Sequence, residues 1–227
     1  MPLSLFFNGA QIPDFIKVNN ISIQLLPNED NQKIIKVDFF VNRRQLIKNA
    51  QIDQFASWLK GDNFKPSKLI LPNDFSSYYL AKVSNTVEID GSISRGEGSI
   101  EFQCAVPQRI SNIENSISFI DSGVIHYTGT HKSSPLIKFK VLSETSEIKL
   151  SFDNDKYHNF IKLVGHFNRD TMIEVDMKSK KVLVNQNLRM AILTLDSFFH
   201  DLLPGNNLYT LDSGNCQVEV TYFDKFI

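Results

Sequence analysis

Residues 42–83 read NRRQLIKNAQIDQFASWLKGDNFKPSKLILPNDFSSYYLAKV, and a switch of hydrophobic period inside this stretch decides the fold. Ile52, Phe55, Ala56 and Leu59 recur at i, i+3, i+4 and i+7, so they share one helix face, and Leu46 and Ile47 extend the stripe backwards. Arg43, Arg44, Lys48 and Asp53 are left for water. Asn42 offers a side-chain oxygen to an orphan N–H of the first turn, and Gly61 supplies the stop, because a residue without Cβ turns left-handed at little cost. The spacing predicts a helix over 43–60, the only long one in the chain. From Lys68 the period falls to two: 68–71 reads as a strand closed by Pro72, 78–83 as its antiparallel partner, and Asn73-Asp74 as the turn between them. A helix laid against a β-hairpin follows, with Phe55, Trp58 and Tyr79 as the packing aromatics.

Strands dominate outside that stretch. Residues 3–7 form an apolar run stopped by the Asn8-Gly9 turn, and Ile12-Pro13-Asp14 breaks the chain again. Phe15, Lys17 and Asn19 then alternate with Ile16, Val18 and Asn20, and Ile21, Ile23 and Leu25 with Ser22, Gln24 and Leu26, as on a half-buried strand. Residues 27–31 are a polar turn, and 33–41 (KIIKVDFFV) is a strand that feeds into the helix. Strands are expected at 87–90 and 98–105, the second with Ile100, Phe102 and Cys104 on one face. Gly91, Gly96 and Gly98 loosen the connection between them. Pro107 interrupts the pattern and places a domain boundary near residue 108. Beyond it the chain reads as strands at 116–120, 124–127, 136–141, 147–152, 160–164, 172–176, 181–184, 191–195, 208–211 and 217–223, with turns at 178–180 and 204–207. Such spacing indicates a β-sandwich. The expected fold is mainly β in two domains, 1–108 with the helix and hairpin, and 109–227.

Composition narrows the partners. Lys and Arg total 24 against 25 Asp and Glu, a net charge of −1, so no basic excess draws a phosphate backbone and no sequence-specific nucleic-acid partner is expected. No apolar run reaches the ~18 residues of a membrane span. Met1-Pro2-Leu3-Ser4-Leu5-Phe6-Phe7-Asn8 has no basic flank and no small-residue cleavage site, so no signal peptide is expected. Cys104 and Cys216 are too few for a disulfide framework and read as buried thiols of a chain made in a reducing cytoplasm.

Chemistry is sparse. His126 and His131 lack a Cys or carboxylate at metal-site spacing, and His158, His166 and His200 are scattered. Gly-x-Ser-x-Gly is absent, and the glycine-rich 91–98 lacks the Lys-Ser/Thr of a phosphate loop. Carboxylate clusters such as Asp153-Asn154-Asp155 and Glu29-Asp30 read as turn chemistry. No catalytic residue, metal site or cofactor is expected. A carbohydrate-binding module is the alternative, with Tyr127, Tyr157 and Tyr209 as candidate sugar platforms.

Taken in order, four segments carry a resemblance: Leu5-Phe6-Phe7-Asn8-Gly9 followed by Ile12-Pro13-Asp14-Phe15-Ile16-Lys17-Val18; Ala56-Ser57-Trp58-Leu59 with Leu69-Ile70-Leu71-Pro72-Asn73-Asp74 and Tyr78-Tyr79-Leu80-Ala81-Lys82-Val83; 98–104 with Pro107; and Leu202-Leu203-Pro204-Gly205-Asn206-Asn207 with Val218-Glu219-Val220-Thr221-Tyr222. This ordered set resembles the distal tail protein (Dit) family of long-tailed siphophages that infect Gram-positive bacteria, over most of the chain. The resemblance implies a first domain, a split β-barrel or sandwich, that builds a ring, commonly a hexamer, and a galectin-like second domain. It implies a structural hub at the virion tail tip, made in the bacterial host cytoplasm. Its partners would be copies of itself, the tail tube protein, a tail-associated lysin or tip protein and receptor-binding proteins. Two departures stand out. Only 27–32 fills the place of a long loop with an Arg-Asp-Gly type turn, which sets aside an arm-like ring contact there, and the second half carries no inserted sugar-binding module.

Overall fold

The computed structural model describes residues 4–26, 32–42, 48–72, 74–87, 95–154 and 156–227, which fall into two compact units, Met1–Asn112 and Ile113–Ile227. The expected Asn73 turn, the 27–31 turn, and 88–90 of the expected strand at 87–90 lie outside the described residues; Val87 is not in a strand.

The first unit is antiparallel throughout. Its strands are β1 (Phe6–Phe7), β2 (Ala10–Gln11), β3 (Ile16–Leu25), β4 (Lys33–Asn42), β5 (Ser67–Ile70), β6 (Ser77–Val83) and β7 (Arg95–Cys104), paired in the order β2-β1-β5-β6-β7-β4-β3. Asn8 and Gly9 both take positive φ, at 50° and 78°, which closes the β1–β2 hairpin tightly. The predicted β5–β6 hairpin forms with Leu69 opposite Tyr79 and Ser67 opposite Ala81.

The helix, α1 (Asn49–Lys60), starts later than the 43–60 expectation. Asn42 ends β4 instead of capping it, residues 43–47 lie outside the described residues, and Lys48 is extended at φ −79° and ψ 149°. The Gln51 side chain supplies the capping contact by accepting from Lys48 N–H at 3.1 Å. Gly61 stops the helix at φ 52°, and a Cβ there would meet Phe7 Cε1 at 2.9 Å.

Trp58, not Ala56, completes the buried face: Phe55 and Trp58 are buried, whereas Ala56 is exposed. The indole reaches further than the methyl and finds more rings. Phe55 stacks on Trp58 at 6.0 Å and meets Phe39 of β4 edge-on at 5.5 Å. Trp58 meets Phe7 of β1 at 5.7 Å and Phe102 of β7 at 6.3 Å. The helix thus packs on rings from three strands rather than on the hairpin alone. Ile35, Val37, Leu69, Ala81 and Ile100 fill out this core.

The second unit is a β-sandwich. One sheet runs β15 (Asn187–Leu188), β14 (Lys181–Val184), β13 (Met172–Asp176), β10 (Leu136–Val141), β17 (Cys216–Phe226), β8 (Arg109–Phe119). The other runs β12 (His158–Phe167), β11 (Thr145–Asp153), β16 (Gly205–Ser213), β9 (Ser122–Tyr127). Alternate residues face inward: Ile137, Phe139 and Val141 from one sheet meet Ile148, Leu150, Phe152, Ile161 and Leu163 from the other in one core. The division between units falls inside β8, after the Pro107 break.

Two second-half expectations fail. The 191–195 segment holds a 3₁₀ turn, Met190–Ile192, and Leu193 makes only an isolated bridge to Leu163. Asn206 and Asn207 lie in β16 rather than in a turn, because the fully buried Asn207 amide binds Leu203 N–H at 3.1 Å, Leu203 O at 2.8 Å and Gly205 O at 3.0 Å. The 178–180 turn forms as expected, held by Asp176, which accepts from Lys178 N and Ser179 N at 2.9 and 3.0 Å.

The ring cluster sets the stability of the first unit. Phe55→Ala is expected to cost about 3–5 kcal/mol in urea unfolding, through a cavity. Trp58→Phe, which leaves Ala10 O without its indole donor, is expected to cost about 1–2 kcal/mol.

Candidate assembly interface

The feature of the first unit that calls for a partner is β3. Its register with β4 breaks between Val18 and Asn20, a bulge that leaves Asn19 unmatched. The extra residue switches parity, so Ile16 and Val18 before it, and Ile21, Ile23 and Leu25 after it, all face the core side. Ile21 lies opposite Val37 and Ile23 opposite Ile35, both partners fully buried. Yet Ile23 is 47% exposed and Leu25 60%. The inner face therefore runs bare towards the end of the strand. Among the described residues, β3 pairs with β4 alone, so one side of a 10-residue backbone has no strand beside it.

Several other stretches of strand backbone are covered. Trp58 Nε1 donates to Ala10 O at 2.9 Å and so closes on β2. Asn85 acts as a substitute strand along β7: its amide donates to Ser99 O at 2.9 Å and its oxygen accepts from Glu101 N at 2.8 Å. In the second unit, residues 194–198 run along β12, with Thr194 N to Lys162 O and Phe198 N to Phe160 O both at 3.0 Å. The free edge of that smaller sheet is β9, whose inward residues Ile125 and Tyr127 are buried, so it lacks the bare inner face of β3.

Lys33, paired with Leu25, is buried, and its ammonium lies 5.1 Å from the centre of the Tyr79 ring. Burial lowers its pKa. Nearby Cys104 is a free thiol whose pKa burial raises to about 11, and Cys216 is likewise buried and free, raised to about 11.

The three tyrosines expected as sugar platforms do not come together. Tyr127 is 2% exposed and spans two backbone segments: its hydroxyl donates to His131 O at 2.6 Å and accepts from Lys225 N at 3.0 Å. Burial pushes its pKa up to about 12. Tyr209 is fully buried, with its hydroxyl 2.9 Å from His200 Nε2. Neither offers a ring face to solvent; Tyr157, beside the β11–β12 turn, is exposed. That turn is held by Asn154, whose oxygen accepts from Lys156 N and Tyr157 N at 2.8 and 3.0 Å.

Among the described residues no three His, Cys, Asp or Glu side chains gather as a metal site, and no helix is long and apolar enough to cross a membrane. His126 sits against Asn206 and His166 against Glu144. Sequence reasoning named the alternation of Ile21, Ile23 and Leu25 but not their exposure; the signal was the parity change at Asn19-Asn20.

Residues 128–226 match the family model of the siphovirus-type tail component, C-terminal domain. No curated protein matches the chain. Among solved structures, the SPP1 Dit (gp 19.1) protein, described as a paradigm of the hub adsorption apparatus in phages infecting Gram-positive bacteria, has the same fold: TM-score 0.80 and 16% identity, over 100% of both chains. A chain of the phage P2 baseplate, in its activated conformation with Ca, is 9% identical with a TM-score of 0.49, over 100% of both chains.

His200 gives this fold a pH dependence. It is stacked on Phe152 at 4.0 Å, and burial lowers its pKa from 6.5 to about 4. The unfolded chain therefore takes up the proton first, and stability held above pH 6.5 is lost as pH falls towards 4. The loss from this group is expected to reach about 3 kcal/mol. Denaturant midpoints measured from pH 7 to pH 4 should show a shallower fall in His200→Gln, which cannot titrate.

Proposed function

We propose that this chain, whose residues 128–226 match the family model of the siphovirus-type tail component, is the ring-forming hub of a long non-contractile phage tail tip, joining the tail tube to the adsorption apparatus. Its work is assembly rather than catalysis. The observation that carries the reading is the uncovered β3 edge with Ile23 and Leu25 bare on its inner side.

The physical logic is that of a closed ring. An unpaired strand edge gains backbone hydrogen bonds when a second chain covers it. A head-to-tail contact that closes under rotation satisfies every copy. Each buried leucine or isoleucine adds about 1.5–3 kcal/mol, set against the entropy of association. In this reading the first unit, named by the sequence as 1–108, carries the ring contact in six copies. The second, 109–227, is a galectin-like sandwich turned to other tail proteins. The tail tube protein contacts one face of the ring, and a tail-associated lysin or tip protein and receptor-binding proteins contact the other. The chain is made in the bacterial host cytoplasm and ends in the virion tail tip. The likeness of fold to the SPP1 hub protein supports this assignment.

Light scattering over a concentration series, with and without tail tube protein, tests it. The expected mass is six times the 25.9 kDa chain. Ile23→Lys combined with Leu25→Lys should give a single chain with unchanged circular dichroism. A wild-type chain that stays single even beside the tube protein overturns the reading.

A further inference from the structure

Between two fixed points, the chain from Arg189 to Asp201 forms a strap along the β12 edge of the smaller sheet. Arg189 N donates to Val182 O at 2.9 Å where the strap begins. Just past its end, Leu202 and Ser133 exchange both backbone hydrogen bonds, at 2.7 and 3.1 Å. In between, Thr194 N and Phe198 N donate to β12 carbonyls, and Ser197 Oγ accepts from Lys162 N at 2.9 Å and donates to Lys162 O at 3.2 Å. Packing adds little to these bonds. Leu195 and Phe198 are exposed, and Ile192, Leu193 and Phe199 are only partly buried. His200 is the one buried residue from Arg189 to Asp201. A segment with so few buried contacts opens at low cost unless something pins it.

The His200 ring is that pin, held against β11 and β16. It stacks on Phe152 at 4.0 Å with 15° between the planes, and its Nε2 lies 2.9 Å from the Tyr209 hydroxyl. Its Nδ1 is buried with no hydrogen-bond partner. An imidazolium carries a hydrogen on each nitrogen, and here the one on Nδ1 finds no acceptor. The groups around the ring do not make up for this. Tyr209 is neutral, its pKa raised by burial. Asp201 has both oxygens engaged, by Ser134 Oγ at 2.5 Å and by the Lys132 ammonium at 2.9 Å. Asp153, next to Phe152 on β11, is bound to His158. The Phe198 backbone and the Asp201 charge favour the proton, but burial outweighs both.

We infer that His200 is an acid-sensitive latch: its protonation expels the ring from between Phe152 and Tyr209 and frees the strap from β12, while the two sheets stay folded. The inference goes beyond the hub reading and does not depend on it, since each chain holds the whole device. The sheets survive because their shared core, from Ile137 and Phe139 to Ile161 and Leu163, draws little from the strap.

Amide hydrogen exchange of the full chain at pH 7 and pH 5, corrected for the intrinsic pH dependence of exchange, tests it. With a pKa of about 4 in place and 6.5 once freed, the Thr194 and Phe198 amides are expected to lose about 20-fold in protection between the two pH values. The amides of β10 and β11 should keep theirs. His200→Gln cannot take the proton and should show no such loss. His200→Phe, which keeps a ring against Phe152, should behave alike and serves where the glutamine variant does not fold. Unchanged protection of the strap, a loss shared equally by β10 and β11, or a full loss retained in the variants overturns the inference.

Discussion

A β-strand carries hydrogen-bonding groups along both sides, and a folded chain must find something for each. This obligation organises the protein. Along β2 the partner is an indole, along β7 an asparagine side chain, along β12 an irregular stretch of backbone. Along β3 the described residues supply a partner on one side alone. The same strand displays two bare aliphatic side chains where its inner face outruns the core. Unmet backbone valence and uncovered apolar surface coincide there, and the proposed ring contact rests on that coincidence.

The rest of the first unit makes that edge rigid enough to use. The rings of Phe7, Phe39, Phe55, Trp58 and Phe102 tie one helix to three strands. Their geometry is edge-to-face with one stacked pair, which fixes the helix in both tilt and height. The bulge at Asn19 is the second device: one extra residue turns the apolar series inward again, so that Ile23 and Leu25 lie on the side where a neighbour can bury them.

The second unit follows a different economy. Its polar interior groups are matched at close range, as in the Tyr127 hydroxyl between His131 and Lys225 and the Asn207 amide bound to Leu203 and Gly205. Two of the three tyrosines that a sugar reading would use, Tyr127 and Tyr209, are therefore structural staples. Rings at alternate strand positions point either inward or outward, and these point inward. Asn154 Nδ2 and Asp224 Oδ1 are exceptions to this local matching, buried without a hydrogen-bond partner.

Much of this was legible in the sequence. Periodicity alone separated one helix from a mainly β chain, and strands such as β10, β13 and β14 fell where alternation put them. Asn8-Gly9 and Gly61 marked their turns because positive φ is a local requirement. Cores of strands were legible for the same reason: inward and outward faces alternate within one segment. What the sequence did not decide was which strand stands at an edge, since pairing order joins residues far apart in the chain. Nor did it decide whether Tyr127, Tyr209, Ile23 or Leu25 meets water, because exposure depends on what other segments cover. The start of α1 was misread because Asn42 suits a helix cap locally, whereas its pairing with β7 draws it into the sheet. Local stereochemistry wrote the elements; long-range hydrogen bonding and packing decided which surface was left to bind.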